Sequence, residues 1–508
     1  MQLFDLIAVL PELILTLTAI LVMLTGAFQA QETGRGTRTL ALLGLASASV
    51  ATLIQRRYPG PAFDGILLTD PFSIFFHFLF PLIAAFVLLS SSDYLRSERM
   101  PVSEYHALLL FAAAGMGLMA SANDLILIFI GLEISSLSSY ILIAFRRRSS
   151  EGSESSLKYF LLGSFATAFF LYGIALLFGA TGSTRITAIR EIILKAQNGL
   201  SDFYPGAGAL AVPQSPFGVA PSLYSPELLA LAAAMLFVGL GFKVSAAPFQ
   251  IWTPDVYQGA PTPITAFLST APKAAAFAVF LRVFYVGLEG ISDQWSAVLW
   301  VSAALTMLVG NLAALWQTNL KRMLAYSSIA HAGYMLVAFT AHTPEGASAV
   351  LFYLVVYAFM NLGALFVIMH IAHQGERYLE LSDYAGLGFR EPFLASCLSF
   401  FLLSLIGIPL TGGFFGKFYI FRAALHADLI GLTILAVLNS AVAAYYYLRI
   451  ITSMYMSEPL QQIPLDPVPP SVAVTISLCA ICTFVLGVFP TPILQFARYA
   501  TLFLEQVP

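Results

Sequence analysis

Apolar residues in this chain come in long runs of similar length, separated by short polar stretches. A helix needs about 20 mostly apolar residues to cross the ~30 Å hydrocarbon core of a bilayer. Fourteen runs meet that requirement, at 6 to 27, 38 to 55, 73 to 93, 104 to 120, 123 to 145, 157 to 180, 227 to 247, 262 to 286, 296 to 316, 323 to 341, 347 to 373, 393 to 424, 430 to 455 and 471 to 495. The pattern predicts an all-α polytopic membrane protein of about fourteen transmembrane helices. The longest polar interruption, 181 to 227, contains "YPGAGALAVPQSPFGVAPSLYSP" and reads as a loop, not a second domain. A soluble domain of even ~100 residues has nowhere to fit, so any chemistry takes place in the membrane or in another chain.

Composition agrees: 59% of the 508 residues are hydrophobic and 10% are charged, against about 45 to 50% and about 25% in soluble domains. The net charge of −3 and the short charged loops argue against a nucleic-acid partner. The first segment carries Asp5 and Glu12 in place of a basic start and lacks a small-residue cleavage site, so it reads as a retained helix. Alternate loops separate into two sets. One holds Arg35, Arg38, Arg96, Arg99, Arg146, Arg147, Arg148, Lys321, Arg322, Arg377 and Arg390; the other holds Arg56, Arg57, Arg185, Arg190, Lys195 and Arg422. The positive-inside rule puts the first set in the cytoplasm and both termini outside.

Three cysteines, Cys397, Cys479 and Cys482, lie in apolar segments. "CAIC" has half the spacing of a zinc or iron–sulfur site but no second pair, and reads as small apolar filler. "TGGFFGK" fails the phosphate-loop pattern, with Thr411 where the first glycine belongs and Phe418 where Ser or Thr must follow.

The middle of the chain echoes itself. One set of five helices runs from about 105 to 285 and another from about 295 to 454; in each the fourth is interrupted and carries a lysine, in "GLGFKVSAAPF" and "GIPLTGGFFGKF". Interrupted segments at matching places point to transporter-type repeats with sites near the midplane. Five is odd, so successive repeats are expected to be inverted. The chain then divides into 1–103 (helices 1 to 3), 104–290 (first repeat), 291–456 (second repeat) and 457–508 (helix 14).

An ionisable group at the bilayer centre costs at least a few kcal/mol and is normally kept from lipid and put to use. Glu133, in "LIFIGLEISSLSSYIL", lies nine residues past Asp124, about 14 Å by the helical rise and so near mid-depth. Lys243 precedes Pro248, whose missing N–H frees a carbonyl in the turn before it. Lys273 follows Pro272, and Lys417 follows the Pro409, Gly412, Gly413 break. Lys158 stands about one turn into its segment, where an ammonium among headgroups is as good a reading as burial. His331, in "SSIAHAGYML", and His77, in "FFHFLF", are weaker candidates, since a neutral imidazole with one hydrogen bond is tolerated in a bundle. Lysines suit a proton relay because desolvation favours the neutral amine and a nearby carboxylate favours the ammonium, so moving the carboxylate switches the lysine. Ser135, Ser138, Ser139, Ser245, Thr265, Ser269 and Thr270 are placed to hold connecting waters, or equally to act as packing glue.

The stretches "GLEISSLSSYIL", "GSESSLKYFLLGSFATAFFLYGIALLFG", "GFKVSAAPFQIWTPDVYQGAPTPITAFLSTAPKAAAF", "KRMLAYSSIAHAGYML" and "GIPLTGGFFGKFYIF" resemble the N-subunit family of bacterial NADH-quinone oxidoreductases, over essentially the whole chain. The resemblance implies fourteen helices, two inverted five-helix repeats with broken fourth helices, and proton translocation coupled to electron transfer in a distant hydrophilic arm. It implies that Glu133 and Lys243 form the ionic pair, Lys273 the central relay and Lys417 the terminal one, with Lys158 in a matching block and His331 in the second repeat. It further implies that this chain binds no cofactor, FMN, iron–sulfur clusters, NADH and quinone belonging to other subunits. The implied partners are membrane-arm subunits, the antiporter-like M and L and the small K and J, in a bacterial inner membrane.

Two other readings share the same segments: a subunit of a cation/proton antiporter, and a structural spacer in a membrane arm whose buried charges serve only assembly.

Overall fold

The computed structural model describes residues 3–28, 34–146, 149–197, 226–372, 374–458 and 466–502. Arg147, Arg148 and 198–225 of the long loop lie outside them. In chain order the helices are α1 (Leu3–Ala8), α2 (Leu10–Phe28), α3 (Arg35–Gln55), α4 (Pro71–Ser97), α5 (Val102–Ser121), α6 (Leu125–Ile143), α7 (Ser150–Thr181), α8 (Ile186–Gln197), α9 (Pro226–Val244), α10 (Trp252–Gly259), α11 (Thr262–Phe280), α12 (Ser292–Leu315), α13 (Leu320–Thr340), α14 (Pro344–Ile371), α15 (Leu387–Arg390), α16 (Pro392–Ile406), α17 (Gly412–His426), α18 (Ile430–Met456), α19 (Pro470–Val488) and α20 (Thr491–Thr501). A π-helical turn, Leu281–Gly287, extends α11, and a hairpin of β1 (Gly60–Ala62) and β2 (Leu67–Thr69) sits between α3 and α4.

Among the described residues, thirteen helices are long and apolar enough to cross a membrane. The remaining expected segment, 393 to 424, is the pair α16 and α17, 15 residues each; at about 22 Å each is shorter than the ~30 Å core. Side-chain chemistry sets the starts of several spans. Asp70 accepts from Ser73 N at 2.7 Å ahead of Pro71, and Asp124 accepts from Ile126 N at 2.9 Å, satisfying donors that a first helical turn leaves open.

Three expectations need correction. The segment 471 to 495 is two helices, α19 and α20, because Pro490 stands between them. The loop from 181 opens with helix α8, whose Ile186, Ile189 and Ile193 share one face and are buried. Helix α7 begins at Ser150, with Ser149 capping Gly152 N at 3.0 Å, so Lys158 is about two turns inside it.

The most enclosed helices are α11, α13 and α14. Helix α14 packs on α11, α13, α16, α17, α19 and α20. The lysine-bearing helices α9 and α17 pack against this enclosed group, α9 on α11 and α17 on α13 and α14.

Candidate functional site

A break inside a membrane-spanning helix leaves backbone groups that the protein itself must satisfy. After α9, Ser245 takes a positive φ of 65° and Pro248 follows. The carbonyl of Phe242 accepts from Ser245 N at 3.1 Å and from Trp252 Nε1 at 2.9 Å. Helix α12 supplies the rest: Thr306 Oγ1 accepts from Ala247 N at 2.8 Å and Ser302 Oγ donates to Ala247 O at 2.7 Å. In the second break Gly407 has φ 95°. Lys417 Nζ donates to Ile406 O, the last carbonyl of α16, at 2.9 Å, a favourable place for a cation. At Gly413 a Cβ would lie 1.8 Å from Ser404 O, so only glycine permits this crossing.

Lys243 is buried next to the end of α9. Its ammonium donates to Ser136 Oγ at 2.8 Å and lies 5.7, 5.5 and 5.8 Å from the ring centres of Tyr140, Tyr159 and Phe242, within the range of cation–π attraction. Glu133 is half-buried on α6, and its Oε1 is buried with no hydrogen-bond partner among the described residues. Glu133 and Lys243 make no direct ion pair; Ser136, one turn beyond Glu133, receives the lysine instead. A small cavity lined by Ser135, Ser136, Ser139, Lys243 and Pro272 lies between α6 and α11, with room for about one water molecule.

Lys273, on α11, donates to Ser328 O at 3.0 Å and Ser328 Oγ at 2.5 Å. One turn along α13 from Ser328, His331 bonds through Nδ1 to the hydroxyl of Tyr353 at 2.6 Å and through Nε2 to that of Tyr447 at 3.2 Å. Tyr447 also bonds Ser327. A further turn on, the ring of Tyr334 lies 4.8 Å from Lys417 Nζ, which donates to Ser440 Oγ at 2.8 Å. Helix α13 thus carries a polar stripe, Ser328, His331, Tyr334, that bridges Lys273 and Lys417 over about 9 Å of rise. The stripe is legible as three-residue spacing in "YSSIAHAGY"; its tyrosine partners come from α14 and α18 and leave no such trace.

Lys158 stands apart. Its side chain is 43% exposed and pairs with Glu154 at 2.7 Å and with Asp255 at 2.9 Å, which also holds Arg322 at 2.8 Å. This is a partly exposed ion network at the first turn of α10.

Sequence reasoning missed one buried cluster. Glu376, in the connection after α14, accepts from Lys321 Nζ at 2.8 Å, Thr262 N at 2.7 Å, Thr262 Oγ1 at 2.6 Å and Tyr94 OH at 2.7 Å, with Arg146 at 3.4 Å. Burial by itself raises this carboxyl, but Lys321 and the three hydrogen bonds outweigh it and hold it below the ordinary carboxylate range. Both partners looked like loop charges in the sequence.

Residues 122–443 match the family described as NADH:quinone oxidoreductase/Mrp antiporter, TM. The chain is 48% identical over 494 residues to NADH-quinone oxidoreductase subunit N 1 of Solibacter usitatus, covering 97% of this chain and 96% of that one. It is 52% identical over 504 residues to subunit N 2 of Koribacter versatilis, covering 98% and 96%. Among solved structures it is similar to a chain of respiratory complex I from Thermus thermophilus with bound aureothin, at 37% identity and a TM-score of 0.77 over 96% of this chain and 98% of that one.

Proposed function

The chain belongs to the NADH:quinone oxidoreductase/Mrp antiporter transmembrane family, and from that premise we propose that it is the N-type proton-translocating membrane subunit of an NADH-quinone oxidoreductase. The family description also covers Mrp antiporters, but near-full-length identities of 48 and 52% to N subunits favour the oxidoreductase. It is a multi-pass membrane protein with membrane-arm partners. More finely, the partners would be subunits M, L, K and J, the membrane a bacterial inner membrane with both termini outside, and the FMN, iron–sulfur clusters and quinone would reside in other chains.

The observation that supports this mechanism is the row of buried ammonium groups, each hydrogen-bonded to a serine, with one imidazole standing among them. Glu133 approaching Lys243 would favour the ammonium; its withdrawal would release the proton toward the water-sized cavity by Ser136 and on to Lys273. Ser328, His331, Tyr447 and Tyr334 would carry it along α13 to Lys417. Lys158 and its carboxylate partners would supply a solvated loading point. The two five-helix runs, 104–290 and 291–456, would be inverted repeats that place the two breaks symmetrically.

The assay is proton translocation by the intact complex in proteoliposomes, measured as protons moved per NADH oxidised. Lys243→Ala or Glu133→Ala in an assembled complex is expected to lower that ratio. An unchanged ratio in both would leave the buried charges with an assembly role only.

A further inference from the structure

Glu12 of α2 and His77 of α4 are buried together, 5% and 3% exposed, and take no part in the lysine line. His77 Nε2 lies 2.8 Å from Glu12 Oε1 and 3.2 Å from Gly117 O; its Nδ1 lies 3.0 Å from Gln55 Oε1. The orientation of Gln55 follows from its other end, where Nε2 is 2.7 Å from Ala8 O, a carbonyl that can only accept. Gln55 therefore presents oxygen to His77, and Nδ1 must carry a hydrogen. On the Nε2 side stand a carbonyl and a carboxyl. At 2.8 Å the Oε1–Nε2 contact is short enough to hold a proton in either of two states: an imidazolium facing a carboxylate, or a neutral imidazole facing a protonated Glu12. The two states differ only in where one proton sits.

The site is built for close approach. A Cβ at residue 117 would lie 2.7 Å from Glu12 Oε1, so glycine there admits the carboxyl. Both carboxyl oxygens of Glu12 are buried without a hydrogen-bond partner among the described residues, Oε1 meeting His77 Nε2 by ion-pair distance alone, so acceptors stay open in a place where an unmet polar atom is costly.

Polar groups stand between the pair and an open cleft. Ser121 Oγ donates to Gly117 O at 3.0 Å, and one residue before it Ala120 O accepts from Arg282 Nε at 2.7 Å. Arg282 pairs with Asp70 at 2.9 Å, and both line an open cleft of about 530 Å³ with Asn123, Thr69 and Thr187. Among the elements around the pair, α3 offers neutral Gln55 and α5 a carbonyl; Asp70 and Arg282 are the charges on this side, and they compensate each other.

We propose that Glu12 and His77 form a proton-binding site in the N-terminal helices, one proton shared between Oε1 and Nε2 and exchanged with water in the Asp70–Arg282 cleft. The proton taken up comes from water in the cleft and returns to it, with no other bond made or broken. The site stands independently of the lysine line, because it is read without turnover.

The test is infrared difference spectroscopy of the intact resting complex across a pH step. Subtracting Glu12→Gln from the unaltered protein isolates the Glu12 carboxyl band. Its position is expected to shift in His77→Gln and in Gly117→Ala, which crowds the carboxyl without removing either partner. Its deuterium exchange is expected to slow several-fold in Thr187→Trp, which fills the cleft. A band that keeps its position in both His77→Gln and Gly117→Ala overturns the shared proton; exchange unaffected by Thr187→Trp overturns the route. If His77→Gln fails to assemble, Gly117→Ala alone decides the first point. Neither result bears on protons moved per NADH.

Discussion

Removing the charge of Glu376 while keeping its shape is the most informative perturbation of this fold. Glu376→Gln keeps the shape but sets an amide NH2 where a carboxylate oxygen accepts, and it strands Lys321, whose side chain is 0% exposed and whose other hydrogen bond is to Ala260 O at 2.6 Å. An uncompensated buried charge costs about 3 to 5 kcal/mol. The cost falls on a cluster joining the end of α4, the start of α11, the start of α13 and the connection after α14. Hydrogen exchange of the intact complex, read by mass spectrometry on peptides covering 374–384 and the first turns of α13, reports local opening directly. At the lower bound of about 3 kcal/mol the amides there should exchange roughly 100-fold faster. Acid adds a second arm. The folded carboxyl lies below its ordinary value of 4.5, so its stabilisation is complete above that value and is lost as pH falls through the depressed folded one. Protection in this segment should therefore decline below about pH 4.5 in the unaltered protein and be insensitive to that step in Glu376→Gln. Exchange in the variant within about threefold of the original, or an unchanged acid response, would refute the assignment of Lys321 and Glu376 as a buried pair.

Four other outcomes are expected. Ser136→Ala removes the group that receives Lys243 and should lower protons moved per NADH while the complex still assembles, as seen on native gels. Tyr447→Phe deletes a hydroxyl shared by His331 and Ser327 and should slow proton-coupled turnover, with His331→Gln no worse in the Tyr447→Phe background than alone. Ser302→Ala with Thr306→Val strips both partners from Ala247 at the first break, at about 1 to 3 kcal/mol for each unmet backbone group, and should lower the thermal midpoint of the purified complex. Gly413→Ala brings a Cβ to 1.8 Å from Ser404 O and should prevent stable insertion, read as loss of the chain from membranes in a pulse chase.

How much was legible in advance differs from residue to residue. The spans, the two breaks and the isolation of Glu133, Lys243, Lys273 and Lys417 in apolar runs could be read from the chain, because hydrocarbon imposes a length of about 20 apolar residues and a penalty on every charge inside it. The same rule left Lys158 open between headgroups and burial, since an apolar run does not say whether a side chain near its start points to a neighbour or to water; in the structure it pairs with Asp255, 97 residues away. Glu376 was invisible because a charge in a connecting loop reads as solvated until packing covers it.

What the sequence by itself determined is therefore the one-dimensional part: which segments enter the membrane, where helices must break, and which ionisable groups are costly enough to need a purpose. Tertiary structure alone decided who meets whom. Ser136 reaches Lys243 across 107 positions, Tyr447 reaches His331 across 116, and Glu376 reaches Tyr94 across 282. The physical reason is that insertion is governed by transfer energies summed along a segment, whereas hydrogen bonds between helices depend on rotation and depth fixed only when the helices pack against one another.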